Sequence, residues 1–282
     1  MTDFETTLKT AATRVETYLD AHLPTGTLIA DGMRYAVLNG GKRLRAFLVY
    51  EGADLHGVST QADPLAAAIE CLHAYSLVHD DMPCMDDDDL RRGLPTVHVK
   101  WDEATAVLVG DALQSQAFSF LTEAGNIPLI QRLATASGVH GMVGGQALDI
   151  AAETVTTPLT LAEITALQAQ KTGALIHWST EAGAVLAGAD TTALSRYADA
   201  IGLAFQIQDD ILDIEGDAIA AGKRLRKDEA AGKATFVSLL GMDDAKARAA
   251  ELVDAANDAL EPYGEKAENL CQAAKYIITR AT

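Results

Sequence analysis

The chain has 282 residues, 49% of them hydrophobic, and a formal net charge of −18. That much apolar material supplies a sizeable core and excludes a disordered chain. The excess of acid argues against nucleic acid or an anionic membrane surface as a default partner, so any anionic substrate must be drawn in by local cations.

Residues 4–20 read as an amphipathic helix, with Phe4, Leu8, Ala11, Val15 and Leu19 recurring at three- to four-residue steps. LPTGT, Leu23 to Thr27, breaks it. Residues 28–39 read as helix until Gly40 and Gly41 interrupt. Further helices are predicted over 44–56, 64–82, 102–123, 126–151, 160–187, 191–215, 233–240 and 243–262. Strand-like alternation is rare and connections are short. The pattern predicts an all-α fold, a single domain over 1–282 built as a bundle of roughly ten helices. Gly216 to Lys233 is Gly- and charge-rich without apolar periodicity and reads as a mobile lid over a charged site. The three cysteines, Cys71, Cys84 and Cys271, have no metal-ligand spacing, and their odd number fits a reducing, cytoplasmic setting. No apolar run approaches the ~18 residues of a membrane span, and the acidic, polar start does not read as a secretory signal.

Two aspartate clusters each close an apolar helical stretch. The first reads DDMPCMDDDDLRR, Asp80 to Arg92, and the second FQIQDDILD, Phe205 to Asp213. Asp209 and Asp213 stand at i and i+4, with Gln206 on the same face and Asp210 beside it. Like charges at that spacing repel by roughly a few tenths of a kcal/mol, a cost that a cation removes. The other reading is an ordinary exposed acidic turn, against which stand the apolar flanks Ile207, Ile211 and Leu212. In the first cluster Asp86 falls about 240° round an unbroken helix from Asp80. The two join one metal only if the backbone deviates between them, and Pro83 supplies the break. Arg91 and Arg92 then reverse the acidity of Asp87, Asp88 and Asp89 at once. That fits either a local salt-bridge patch or a polyanion gripped by metal on one side and guanidinium forks on the other. Carboxylates suit Mg²⁺, whose shell substrate phosphates commonly complete. Two such walls facing one cavity would clamp a diphosphate through metal ions.

NGGKRLR, Asn39 to Arg45, places Lys42 and Arg45 three apart on the first turn of a predicted helix, where cations oppose the helix dipole unless an anion binds. His73 stands seven residues before Asp80 and shares its face, as a core residue or as a ligand. His79, His98, His140 and His177 are structural by default. Lys171 and Thr172 lie in the mostly apolar LQAQKTGALIHW, where a buried lysine needs a partner. GGQALD, Gly144 to Asp149, adds Gln146 and Asp149 to another apolar helix. Lys223, Lys227 and Lys233 recur in the predicted lid.

In chain order, GGKRLR, HAYSLVHDDMPCMDDDDLRRG, GDAL, GGQALD, KTGAL, FQIQDDILD and KATF resemble the motifs of the all-α trans-prenyltransferases, the short-chain polyprenyl diphosphate synthases. They are most like those of the bacterial farnesyl diphosphate synthases, or geranyltranstransferases. The likeness runs from about residue 30 to the C-terminus, and departs at KATF, where the family has KATY. It implies an isoprenoid synthase bundle around a central cavity and a homodimer. The implied reaction is Mg²⁺-dependent condensation of dimethylallyl or geranyl diphosphate with isopentenyl diphosphate, giving farnesyl diphosphate. Asp80, Asp81, Asp86, Asp209, Asp210 and Asp213 would hold several Mg²⁺ ions, expected to be three, on the allylic diphosphate. Arg91, Lys171 and Lys233 would contact that diphosphate, with Lys223 another substrate-binding residue of the lid. Lys42, Arg45, His73 and Arg92 would bind isopentenyl diphosphate, and Thr172 and Gln206 would face the developing carbocation. Tyr75 and Ser76, five and four before the first aspartate, would set product length. The alternatives are a geranylgeranyl diphosphate synthase and, from another class, a non-catalytic regulatory subunit of a prenyl synthase. Retention of all six aspartates counts against the second. A terpene cyclase has no need of the basic NGGKRLR motif.

Overall fold

Leu8, Ala11, Val15 and Leu19 form the buried face of α1 (Phe4–His22), as the periodicity predicts. The structure is a computed structural model and describes residues 4–153, 157–215 and 234–280. Thr27 caps α2 (Leu28–Val37) by accepting from the Ala30 N–H. There follow α3 (Leu44–Leu55), α4 (Asp63–Asp80), a two-stranded ribbon of β1 (Leu90–Arg91) and β2 (Leu94–Pro95), and α5 (Val97–Lys100). Next come α6 (Glu103–Glu123), α7 (Ile127–Ser137), α8 (Met142–Ala152), α9 (Leu161–Gln168), a π turn (Ala169–Gly173), α10 (Ala174–Ala187) and α11 (Thr192–Glu215). The described chain closes with α12 (Phe236–Leu240), α13 (Met242–Ala259) and α14 (Glu268–Thr279).

The bundle is organised around α4. Leu65 to Leu72 are all buried in succession, so this helix is enclosed on every side rather than along one stripe. It packs along α6, while α10 packs along α3 and α11 along α13. The core runs through these pairs, with Leu48, Leu65, Ile69, Leu72 and Leu113 fully buried. No helix among the described residues is long and apolar enough to cross a membrane.

The architecture is the all-α one expected, with local corrections. The predicted helix 126–151 is two helices, because Gly138 and Gly141 leave helical angles at the end of α7 and the start of α8. The predicted helix 160–187 contains the π turn. Lys42 lies before the first turn of α3, not in it: Leu44 opens the helix, and Arg43, with φ 53°, turns the chain into it. The ribbon was not expected; Arg92 and Gly93 both take positive φ, 54° and 77°, the arrangement of a two-residue hairpin turn. Helix α14 lies beyond the last predicted element. The Gly216–Lys233 segment, with Lys223, Lys227 and Lys233, lies outside the described residues.

Candidate active site

Helix α4 delivers the first aspartate cluster. Asp80 is its last residue and Asp81 its cap. The chain then doubles back over the helix end. The Asp86 N–H donates to the Asp80 carbonyl at 2.8 Å, and the Asp88 N–H to that of Asp81 at 3.1 Å. The backbone thus deviates from a helix between Asp80 and Asp86, the condition for the two to join one metal. The β1–β2 hairpin then returns Arg91 to the cluster, where its Nε donates to Asp81 at 3.0 Å and a second nitrogen bonds the same carboxylate. Arg92 donates to the carbonyls of Asn39 and Gly40. The hairpin and the NGGKRLR segment are thereby joined.

That segment is shaped by a buried pair that the sequence reading missed. Arg43 is 4% exposed and pairs with Glu16 at 3.0 Å and Glu70 at 3.2 Å. The other Glu70 oxygen accepts from the Ala46 N–H at 3.1 Å, satisfying the start of α3 from a distance. Arg45 then points into the cavity, with its Nε buried and lacking a hydrogen-bond partner. Lys42 Nζ lies 5.6 Å from the centre of the Tyr276 ring; burial and the charge of Arg280 lower its pKa.

Helix α11 delivers the second cluster. Asp210 is buried and accepts from Gln206 Nε2 at 3.1 Å and from the Phe236 N–H at 2.7 Å. Asp209 pairs with Arg280, whose guanidinium also lies 4.1 Å from the Phe205 ring centre. Arg280 is a second residue that sequence reasoning missed. Leu270, Ala273, Ala274 and Ile277 are buried at helical spacing, and this pattern would have placed it at the end of a helix.

Between the clusters stands the π turn. Gly145 of α8 abuts it so closely that an added Cβ would fall 2.2 Å from the Lys171 nitrogen. Lys171 Nζ reaches Asp149 at 2.7 Å, and Thr172 Oγ1 donates to Gln206 Oε1 at 3.4 Å. GGQALD, KTGAL and FQIQDDILD thus meet at one place.

Asp80 and Asp209 line one cavity of about 500 Å³, together with Arg45, His73, Lys171 and Thr172. The same cavity is lined by Tyr75, Ser76, His79, Met142, Val143 and Ile150. Asp81, by contrast, faces Arg91 and a small recess of about 30 Å³ beside Arg92. Among the described residues no three acidic, histidine or cysteine side chains converge on a single metal position. The Asp80 carboxyl is pushed up to about 7, by burial first; Lys171 opposes the rise and Asp86 adds to it. Burial likewise holds Asp81 above its usual value despite Arg91. Burial, then the guanidiniums of Arg45, Arg92 and Arg43, keep the His73 imidazole neutral. His177 sits elsewhere, between Glu181 and Asp199, in keeping with a structural role.

The profile of the family described as "Polyprenyl synthetase" matches residues 27–275, a span that contains every motif quoted from the sequence. The chain belongs to the polyprenyl synthetase family. A farnesyl diphosphate synthase from Escherichia coli is 49% identical over 270 residues, 90% of each chain. The apo crystal structure of an FPP/GFPP synthase from Zymomonas mobilis superposes with a TM-score of 0.89 at 45% identity, covering 98% of this chain and 99% of that one. The structure of a geranyltransferase from Helicobacter pylori, complexed with magnesium and isoprenyl diphosphate, superposes with a TM-score of 0.83 at 33% identity. It covers 99% of this chain and 97% of that one. The chain is therefore a prenyltransferase with the all-α isoprenoid synthase fold, as its motifs imply.

Proposed function

We propose that this prenyltransferase condenses dimethylallyl and geranyl diphosphates with isopentenyl diphosphate, with farnesyl diphosphate as its main product. One observation carries the reading. Asp80 and Asp209, delivered by different helices, line a single cavity whose wall also carries the cations Arg45 and Lys171 and the apolar side chains of Met142, Val143, Ile150 and Phe205.

Magnesium fits this donor set. Carboxylate oxygens are hard ligands, and burial, with Asp86 and Asp81 beside it, pushes the Asp80 carboxyl up to about 7 in spite of Lys171 and Arg91, a penalty that a bound cation would offset. Asp80, Asp81 and Asp86 on one wall and Asp209, Asp210 and Asp213 on the other would hold the ions, three by the family's pattern. When bound, they neutralise the diphosphate as it leaves.

The protein's own groups do the rest. Arg91 and Lys171, with Lys233 and Lys223 of the 216–233 stretch, hold the allylic diphosphate, and the electron pair of the breaking C–O bond departs with it. Lys42, Arg45 and Arg92 hold isopentenyl diphosphate. The unpartnered Arg45 Nε supplies a buried donor for an anion, and neutral His73 donates a hydrogen bond without adding charge. The isopentenyl double bond attacks the allylic cation, and loss of a proton, with the released diphosphate as acceptor, restores a double bond. Thr172, Gln206 and the backbone at Lys171 present oxygen dipoles to the cation. Apolar walls exclude the water that would quench it.

The Tyr75 ring in the cavity wall favours a farnesyl over a geranylgeranyl product, since the longer chain needs the space the ring takes. The six aspartates favour an enzyme over a regulatory subunit. We further propose that the chain acts as one synthase domain, as a homodimer, in the cytoplasm, where its three unpaired cysteines stay reduced. The test is incubation with geranyl diphosphate, isopentenyl diphosphate and Mg²⁺, followed by chromatography. Farnesyl diphosphate is expected, and absence of any elongated product refutes the reading.

A further inference from the structure

The wall of the cavity contains a contact that the reaction scheme does not use. Tyr75 and His79, one turn apart on α4, both line the cavity. Their rings meet edge-on, with centroids 5.1 Å apart and planes at 81°. His79 also reaches across to α6, where its Nε2 lies 3.1 Å from the Val107 carbonyl oxygen. A carbonyl only accepts, so Nε2 carries the proton and donates. The imidazole fits there because position 110 is glycine: a Cβ at Gly110 would fall 2.1 Å from Nε2 and 2.4 Å from Cδ2. Ser76 has no such anchor; its hydroxyl turns back to the His73 carbonyl at 2.9 Å.

We propose that His79, seated against Gly110 and bonded to the Val107 carbonyl, is a positioning residue for product length: it fixes the Tyr75 ring as the floor that stops the growing chain. This rests on the elongation reading above. An aromatic ring on a helix has alternative staggered positions. A growing prenyl chain gains buried apolar area by swinging the ring aside. The edge-on imidazole opposes that swing, and its own place is set by two contacts to a different helix. His79 touches no reacting atom and acts through Tyr75. A mere brace between α4 and α6 would change stability and leave the product ratio alone.

The test compares wild type, His79→Ala, Gly110→Ala, Tyr75→Ala and the double variant His79→Ala/Tyr75→Ala. Each is given geranyl diphosphate, excess isopentenyl diphosphate and Mg²⁺, and the readout is the ratio of geranylgeranyl to farnesyl product. His79→Ala and Gly110→Ala should each raise that ratio roughly two- to tenfold, the scale of a lost edge-on ring pair. Tyr75→Ala should raise it at least as far, and adding His79→Ala to it should change nothing more. His79→Gln keeps a donor for Val107 without the ring; it should match His79→Ala and carries the test if the alanine variant does not fold. A wild-type ratio in the His79 variants overturns the proposal. So does a His79→Ala effect that persists undiminished in the Tyr75→Ala background. If wild type elongates nothing, the elongation reading itself falls, an outcome visible in the wild-type reaction alone.

Discussion

Replacing Asp80 by Asn should make the metal-free protein more stable and the enzyme nearly inactive. In the metal-free fold the Asp80 carboxyl is pushed from 3.8 to about 7, by burial first and, against Lys171, by Asp86. Below the lower value both folded and unfolded chains hold the proton, and nothing is lost. Between the two values the unfolded chain has ionised while the fold still binds the proton. Stability therefore falls as pH rises, by about 1.4 kcal/mol per pH unit. Above about pH 7 the full penalty persists. A shift of about three units sets a ceiling of roughly 4 kcal/mol. The neighbouring cations are already included in that value, and partial exposure of the carboxyl brings the penalty to roughly 2–4 kcal/mol. Asparagine keeps the shape and removes the titration. Urea unfolding in EDTA should show Asp80→Asn level with wild type near pH 4 and ahead of it by that margin near pH 8. Mg²⁺ with an allylic diphosphate should reverse the order by stabilising wild type alone. Elongation by the variant should drop by orders of magnitude. A stability difference that does not change with pH, or a wild type that is the more stable at pH 8 without metal, refutes the reasoning.

Glu70→Ala leaves Arg43 with Glu16 alone and strips the Ala46 N–H of its acceptor. A loss near the lower end of about 3–5 kcal/mol is expected in urea unfolding, with a higher KM for isopentenyl diphosphate than for the allylic partner. Unchanged values for both would show that the buried pair does not shape the NGGKRLR segment. Arg280→Ala releases Asp209 from a charged hydrogen bond, and Mg²⁺ affinity without substrate should rise by up to roughly tenfold by calorimetry; weaker binding would contradict this. Gly145→Ala drives a methyl into the Lys171 backbone, and kcat should fall by up to roughly 100-fold while the far-ultraviolet circular dichroism stays that of wild type. A wild-type kcat would mean that the π turn tolerates displacement.

Most of the helices were legible because each carries a local pattern. The buried face of α1 and the Asp209–Asp213 face of α11 follow from spacing alone. The break at Pro83 and the return of Asp86 toward Asp80 were legible as a requirement of geometry. What was not legible depends on contacts distant in sequence. Nothing in NGGKRLR announces that Arg43 will pair with Glu70, or that this pair, rather than the glycines alone, fixes where α3 begins. The pairing of Asp209 with Arg280 spans 71 positions and joins two helices whose packing no periodicity reports. The division between α7 and α8 was misread because apolar residues continue through the glycines in helical rhythm, and backbone freedom at Gly138 and Gly141 overrides that rhythm. His79 reads as structural by default, since nothing in the sequence shows that its ring will meet the Val107 carbonyl and fill the space beside Gly110.

The π turn at Ala169–Gly173 carries a dynamic consequence. A wider turn inserted in a long helix interrupts the regular i→i+4 ladder, and the amides of an irregular ladder open more readily than those on either side. Residue-resolved deuterium uptake should therefore show a narrow fast-exchanging window at Lys171 to Ala174, set between slow stretches of α9 and α10. Ligand occupancy should close that window before it slows exchange anywhere else in the same rod.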